Sequence, residues 1–174
     1  MKNLVNNIIF FGLLLFLISC NYKPLSTLKS TFNRENVKCP NILFSSEHNV
    51  YFATNDNSID LDNLSYQAKI DNASFTEGCF SQENLFNSSL TVLFIVSPTQ
   101  NTKNQILLPF YVAFINQKNE LHDIQYYSIN EFFEKDSNTN EFTEVDLNKT
   151  ISIEGINKDN FNLIIIGFML NDKQ

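Results

Sequence analysis

Tryptophan is absent from the chain, histidine occurs twice, cysteine three times, and glycine and proline four times each. Two of these scarcities remove a class of function. Two imidazoles, His48 and His122, do not make a His-rich metal centre, and four glycines leave little material for a phosphate-cradling loop. Cations are also few: 12 Lys and Arg stand against 19 Asp and Glu, a formal charge of −7. Nucleic-acid binding rests on clustered cations facing phosphates, so no nucleic-acid partner is expected. No G-x-S-x-G elbow or S-x-x-K motif is present to activate a serine. His122-Asp123 joins an imidazole to a carboxylate, but neighbours on a strand point to opposite faces and are not set for proton transfer. A surface histidine is the simpler reading. No catalytic residue, metal site or cofactor is expected, and no enzymatic activity.

Apolar residues make up 43% of the 174, enough for a packed interior at a length that suits one domain. Asparagine is in excess at 26 residues; with abundant Ile, Phe and Lys, this is a bias that an AT-rich genome produces without any functional demand. The sharpest signal is at the start. Lys2 precedes an apolar run of 11 residues, Ile8 to Ile18, bounded by Asn6-Asn7 and Ser19-Cys20. A secretory apolar region takes about 7–15 residues and a membrane-spanning helix about 20, so the run reads as a signal peptide. Leu17-Ile18-Ser19-Cys20 resembles the bacterial lipobox, in which cleavage precedes a cysteine that carries diacylglycerol. The expectation is a lipoprotein signal peptide over residues 1–19 and lipidation of Cys20; an ordinary signal peptide and an uncleaved anchor are the alternatives. Two or more acyl chains hold a protein to a bilayer stably where one does so only marginally, so the membrane is an expected partner through Cys20. Asn21, rather than Asp, after the cysteine favours an outer-membrane location facing the periplasm.

With Cys20 lipidated, Cys39 and Cys79 remain as an even pair in an oxidising compartment, where disulfides persist. Neither has a CxxC neighbour, so a bridge is favoured over a free thiol or a metal pair. Residues 20–38 carry the lipidated cysteine and then a polar, aperiodic stretch with Pro24, which reads as a flexible tether. The folded domain is expected over residues 39–174.

There the pattern has mostly period two. Leu64, Tyr66, Ala68 and Ile70 share one face, with Ser65, Gln67, Lys69 and Asp71 opposite. Further strands are expected at 41–45, 50–53, 89–96, 106–116, 121–132, 142–153 and 161–170, separated by Asn-, Asp- and Ser-rich turns. Pro109 suggests a bulge or an edge, and 121–135 has enough helical spacing to compete as a helix. Seven or eight strands predict an all-β fold, an antiparallel sandwich of immunoglobulin or fibronectin type, with a small barrel as the competitor.

Cys39 to Leu43, Asp60 to Ile70, Cys79, Pro109 to Ala113 and Ile166 to Leu170 together resemble a family of uncharacterised small envelope lipoproteins of alphaproteobacteria. Cys39-Pro40-Asn41-Ile42-Leu43 looks like that family's Cys-Pro opening, and Asp60-Leu61-Asp62-Asn63-Leu64-Ser65-Tyr66-Gln67-Ala68-Lys69-Ile70 like its second-strand entry. Cys79 stands at its second cysteine, Pro109-Phe110-Tyr111-Val112-Ala113 is similar to its mid-chain strand, and Ile166-Gly167-Phe168-Met169-Leu170 to its closing strand. The resemblance implies an envelope lipoprotein with a disulfide and a β-domain, and it carries no catalytic residue.

Three constellations remain. Asn55-Asp56-Asn57-Ser58-Ile59-Asp60-Leu61-Asp62 collects oxygen ligands, but it lacks the turn glycine and distal Glu of a calcium loop and reads as an exposed acidic turn. Glu131, Glu134, Asp136, Glu141, Glu144 and Asp146 read as a solvated hairpin, or as a docking surface for a basic partner. The doublets Tyr126-Tyr127 and Phe132-Phe133, if on a strand, must each send one ring outward; these four form the candidate partner surface. The expected function is a non-enzymatic envelope module that binds another envelope protein or supports outer-membrane assembly. The alternative is a carrier for a lipid or glycan in an aromatic cleft. A large apolar cavity would favour the carrier, and a solid core with outward rings the binding module.

Overall fold

In the structure, a computed structural model, residues 34–55 and 61–170 are described. The expected signal peptide, Cys20, most of the expected tether and the centre of the 55–62 acidic turn lie outside the described residues. The described residues run through ten strands: β1 (Arg34–Asn36), β2 (Asn41–Phe44), β3 (Val50–Thr54), β4 (Leu64–Phe75), β5 (Phe80–Gln82), β6 (Leu85–Pro98), β7 (Gln105–Ile115), β8 (Leu121–Phe132), β9 (Val145–Asn157) and β10 (Leu163–Phe168). Among the described residues no helix is long and apolar enough to cross a membrane.

The first sheet is built around β6. β9 pairs along one flank of it from Leu85 to Val96, which leaves one other flank. β4 and β5 occupy that flank in succession, Phe75 opposite Leu90 and Phe80 opposite Asn87. β3 then pairs outside β4, and β1 outside β5. The second sheet has the order β2-β10-β7-β8, antiparallel except for β2 with β10. The strands β4-β6-β9 follow the order of A, B and E in an immunoglobulin-type domain, and β8-β7-β10 that of C′, C and F. The place beside F, which the G strand takes in such a domain, is filled here by β2, running parallel. The expected sandwich is therefore present, with an N-terminal segment closing it.

Alternation decides which residues fill the interior. From the first sheet Tyr66, Ala68, Ile70, Phe86, Leu90, Val92, Phe94, Val96, Ile151 and Ile153 are buried. From the second, Ile106, Leu108, Phe110, Val112, Phe114, Ile164, Ile166 and Phe168 meet them. The rings interleave: Phe94 lies 5.1 Å from Phe110 and 5.7 Å from Phe168, and Phe161 stands edge-on to both Phe86 and Phe114. Such pairs add to the burial of their area.

Three local readings are revised, and one competing reading falls away. Arg34–Asn36 lies within the stretch read as tether, yet it pairs with β5; its three residues are all exposed and so carry no apolar signal. Residues 121–132 form a strand, because register along β7 overrides the weak helical spacing. β9 begins at Val145; Phe142 instead bridges Lys135 and closes a hairpin. Pro109 is neither at a bulge nor on an edge strand. It sits in central β7 where β10 runs out: the Met169 N–H donates to its carbonyl at 3.0 Å, and the amide it lacks would have been the last rung.

The scarcity of glycine is met locally by other residues. Glu83 and Asn84 both take positive φ in the two-residue turn between β5 and β6, as a type I′ hairpin requires. Asn119 and Asn140 take it in the next two hairpins. Side-chain oxygens then fix these turns: Asn116 Oδ1 accepts from the N–H groups of Lys118 and Glu120, and Asp136 Oδ1 from those of Asn138 and Thr139. Part of the asparagine excess thus has a structural use.

Candidate functional site

The sandwich has two outer faces, and they differ. On the first sheet the outward positions are largely polar: Gln67 and Lys69 on β4, Ser89 and Thr91 on β6, Asn148, Thr150, Ser152 and Glu154 on β9. Thr91 and Thr150 share a 2.7 Å hydrogen bond across the strands, and Lys69 pairs with Asp71. On the second sheet one cross-strand row reads Leu43, Ile165, Ala113, Ile124. The outward positions around it are Leu107, Tyr111, Ile115, Leu163, Gly167, Tyr126, Ser128, Asn130 and Phe132, so among the described residues these strand positions carry no charged side chain, in a chain of net charge −7.

Tyr111 is laid flat on that face. A Cβ at Gly167 would stand 2.6 Å from its hydroxyl, so only glycine on β10 lets the ring cross over. The Tyr111 hydroxyl lies 3.3 Å from Nδ1 of His48, whose ring meets it edge-on. His48 is thereby a prop for the platform. His122 is at the other end of the sheet, where Nε2 lies 3.4 Å from the Asn160 amide; its polar contact is with Asn160 rather than Asp123.

The aromatic doublets split as strand geometry demands. Tyr126 and Phe132 are 63% and 61% exposed. Tyr127 turns inward and stacks on Phe110 at 5.4 Å, its hydroxyl donating to Gln125; burial, then Asp123, raises its pKa. Phe133 is 4% exposed, between Tyr66 and Phe142. Of the four rings in the candidate surface, Tyr126 and Phe132 are the two that can meet a partner. The acidic string is also divided. Glu131 and Glu134 lie at the end of β8, Asp136 is held by its turn amides, and Glu144 accepts from Ser97 in the first sheet at 2.6 Å. The N–H groups of Thr139 and Asn138 keep the Asp136 carboxyl below the ordinary range.

Cys39 and Cys79 are bonded, with Cα atoms 5.2 Å apart. The bridge ties the segment before β2 to the start of β5, and the Val37 N–H reinforces it by donating to the Cys79 carbonyl at 3.0 Å. Across the sandwich, the Tyr66 hydroxyl both donates to the Leu107 carbonyl (2.7 Å) and accepts from the Leu107 N–H (2.9 Å). Those two groups belong to β7 beyond the end of β10 and would otherwise lack a strand partner. Burial pushes the Tyr66 pKa up to about 12. Inward parity made Tyr66 legible as core, but nothing in the sequence marked its partner. For the Tyr111 platform the signal was Gly167, a lone glycine inside the apolar run Leu163–Phe168.

Open clefts lie at the rim, one of them lined from both sheets by Tyr51, Tyr66, Gln105 and Leu107. Another, of about 470 Å³, is lined by Glu35, Val37, Lys158 and Phe161 among others, and the Lys158 ammonium bonds Glu35 across it at 2.8 Å. That hydrogen bond lowers the Glu35 pKa and raises that of Lys158. Among the described residues no group of three or more His, Cys, Asp or Glu side chains is placed to hold a metal ion.

Fold and site together define an immunoglobulin-type β-sandwich with one disulfide and one uncharged, aromatic-bearing sheet face. No family model, curated protein or solved structure matches the chain.

Proposed function

We propose that the chain is a lipid-anchored envelope protein, akin to the small alphaproteobacterial lipoproteins it resembles, whose sandwich binds another envelope protein without catalysing a reaction. The observation that carries this reading is the outer face of the second sheet. A contiguous apolar face rimmed by polar residues marks an interaction surface more often than a scattering of single apolar side chains does. Here the face stands out against an otherwise acidic chain. Support for the envelope comes from the lipobox-like start and from the Cys39–Cys79 bridge, which belongs to an oxidising compartment. The carrier reading has less support, since side chains from both sheets fill the space a ligand would need.

The test is a photo-crosslinking residue at Tyr126, with Thr150 on the opposite outer face as the control, in native membranes. A discrete adduct from Tyr126 and none from Thr150 is expected. Equal adducts from both positions, or none from either, would sink the proposal. The same membranes test the anchor: Cys20→Ser should remove the acyl label and leave either soluble protein or unprocessed precursor. Replacing Tyr126 and Phe132 together with Ser should abolish the adduct formed from a probe at Ser128, while the melting temperature moves by no more than about 2 °C, as exposed substitutions do. The inward rings Tyr127 and Phe133 are unsuitable for this purpose, because their loss would unpack the core.

A further inference from the structure

A strand at a sheet edge presents a row of unpaired N–H and C=O groups, and proteins blunt such edges with short length, Lys, Pro or bulges. Three edges here are blunted. β2 has four residues, β1 and β3 have three and five, and β9 carries Lys149 and a bulge at Gly155, where φ is +81°. β8 is different: it runs for 12 residues with neither Lys nor Pro, its bulge is confined to His122 at the start, and among the described residues it pairs on one side only, with β7.

The phase of that pairing fixes what the free side offers. The Phe133 N–H donates to the Asn104 carbonyl at 2.7 Å, and antiparallel ladders alternate from there. Glu131, Ile129, Tyr127, Gln125 and Asp123 therefore bond to β7. The backbone groups of Phe132, Asn130, Ser128, Tyr126 and Ile124 point away from the sheet. On the far side of β7 the same phase shows directly, in the bonds that Pro109 and Leu107 make to Met169 and Tyr66.

We propose that β8 accepts an extended strand from the partner, one that alternates apolar residues with polar ones and carries Lys or Arg near both ends. This rests on the docking reading of the adjoining face and names how the partner is held. An added strand would meet two rows of side chains. The outer row is Ile124, Tyr126, Ser128, Asn130 and Phe132, which are uncharged and extend the apolar platform. The other row is Asp123, Gln125, Tyr127, Ile129 and Glu131, with a carboxylate at each end, about 27 Å apart at 3.4 Å per residue. Opposite charges facing across strands stabilise a pair and like charges destabilise it. That contrast disfavours a second copy as occupant. Antiparallel self-pairing centred on Tyr127 sets Asp123 of each copy against Glu131 of the other, between chains of charge −7.

The probe is a synthetic nine-residue peptide of alternating Thr and Val with Lys at both ends, titrated into purified full-length protein in detergent. Saturable binding is expected, with amide exchange slowed at least tenfold at Ile124, Tyr126, Ser128 and Asn130. Glu-ended and alternately N-methylated versions of the peptide should not bind. Ser128→Pro should abolish binding at a nearly unchanged melting temperature, because it removes an edge-facing donor and spares the ladder to β7. Asp123→Asn with Glu131→Gln should weaken binding about tenfold and flatten its dependence on salt. No saturable binding, equal binding of the Glu-ended peptide, or binding undiminished by Ser128→Pro overturns the proposal. A dimer of the free protein that Ser128→Pro dissolves overturns it in favour of self-pairing. An adduct at Tyr126 that forms as strongly in Ser128→Pro as in the parent leaves the docking reading standing and removes strand addition alone.

Discussion

Reducing the Cys39–Cys79 bridge, or replacing both cysteines with Ser, should lower the stability of the domain by about 4 kcal/mol, the chain-entropy value for a loop of this size. The bridge closes a sequence separation of 40 residues. Its position suggests that the loss will be felt unevenly. β1 and β2 have three and four residues, too few to persist by their own ladders, and they hold opposite sheets: β1 pairs with β5 and β2 with β10. Freed of the bridge, the segment from Arg34 to Phe44 should open first and withdraw Ile42 and Phe44 from the core margin. Calorimetry should register a fall of roughly 12–20 °C, and hydrogen exchange should show lost protection at 41–44 before β6 or β7 is affected. A change below about 1 kcal/mol would mean that the short strands hold without the bridge.

Tyr66→Phe is expected to cost about 2 kcal/mol, although it removes one oxygen atom and barely alters the packing. The hydroxyl is the partner of both backbone groups of Leu107, and leaving such groups unpaired costs more than the net worth of one hydrogen bond. Phe at this site should therefore lower the melting temperature by roughly 5–10 °C. Water entering to bond Leu107 would shrink the loss to a few tenths, and that result would count against this role of the Tyr66 hydroxyl. The same substitution has a pH signature. The pKa of Tyr66 is raised from 10.0 to about 12 in the folded protein, so its contribution is whole below pH 10 and is lost as pH rises from about 10 to 12. Melting curves across that range should fall less steeply for Tyr66→Phe. A residual slope should persist from Tyr51 and Tyr127, whose pKa values burial also raises.

Period-two patterning was enough to place β2, β3, β4 and most of β6 to β10, because each of these strands buries one face. It could not show β1 or β5, three-residue strands whose pairing depends on a partner distant in sequence rather than on their own polarity. Nor could it say which ring of Tyr126-Tyr127 faces out; that follows from register against β7, where Tyr127 opposes inward Phe110. The disulfide was legible from cysteine parity. The platform of Tyr111 over Gly167 and the cap of Tyr66 on Leu107 join residues 56 and 41 positions apart, and chemistry across strands or sheets leaves no local signature.

If the chain is exported as proposed, threaded outward amino end first, the parallel pairing of β2 with β10 sets an order of events. Asn41 pairs with Leu163, so the first strand of the second sheet to emerge must wait for the last. Long-range closure of this kind is slow, and an unfilled sheet edge invites wrong partners meanwhile. Cys79 emerges well before Leu163. Bridging Cys39 to it early would hold β2 beside the growing sandwich and shorten the search that remains, so oxidation would act as a folding guide before it acts as a brace.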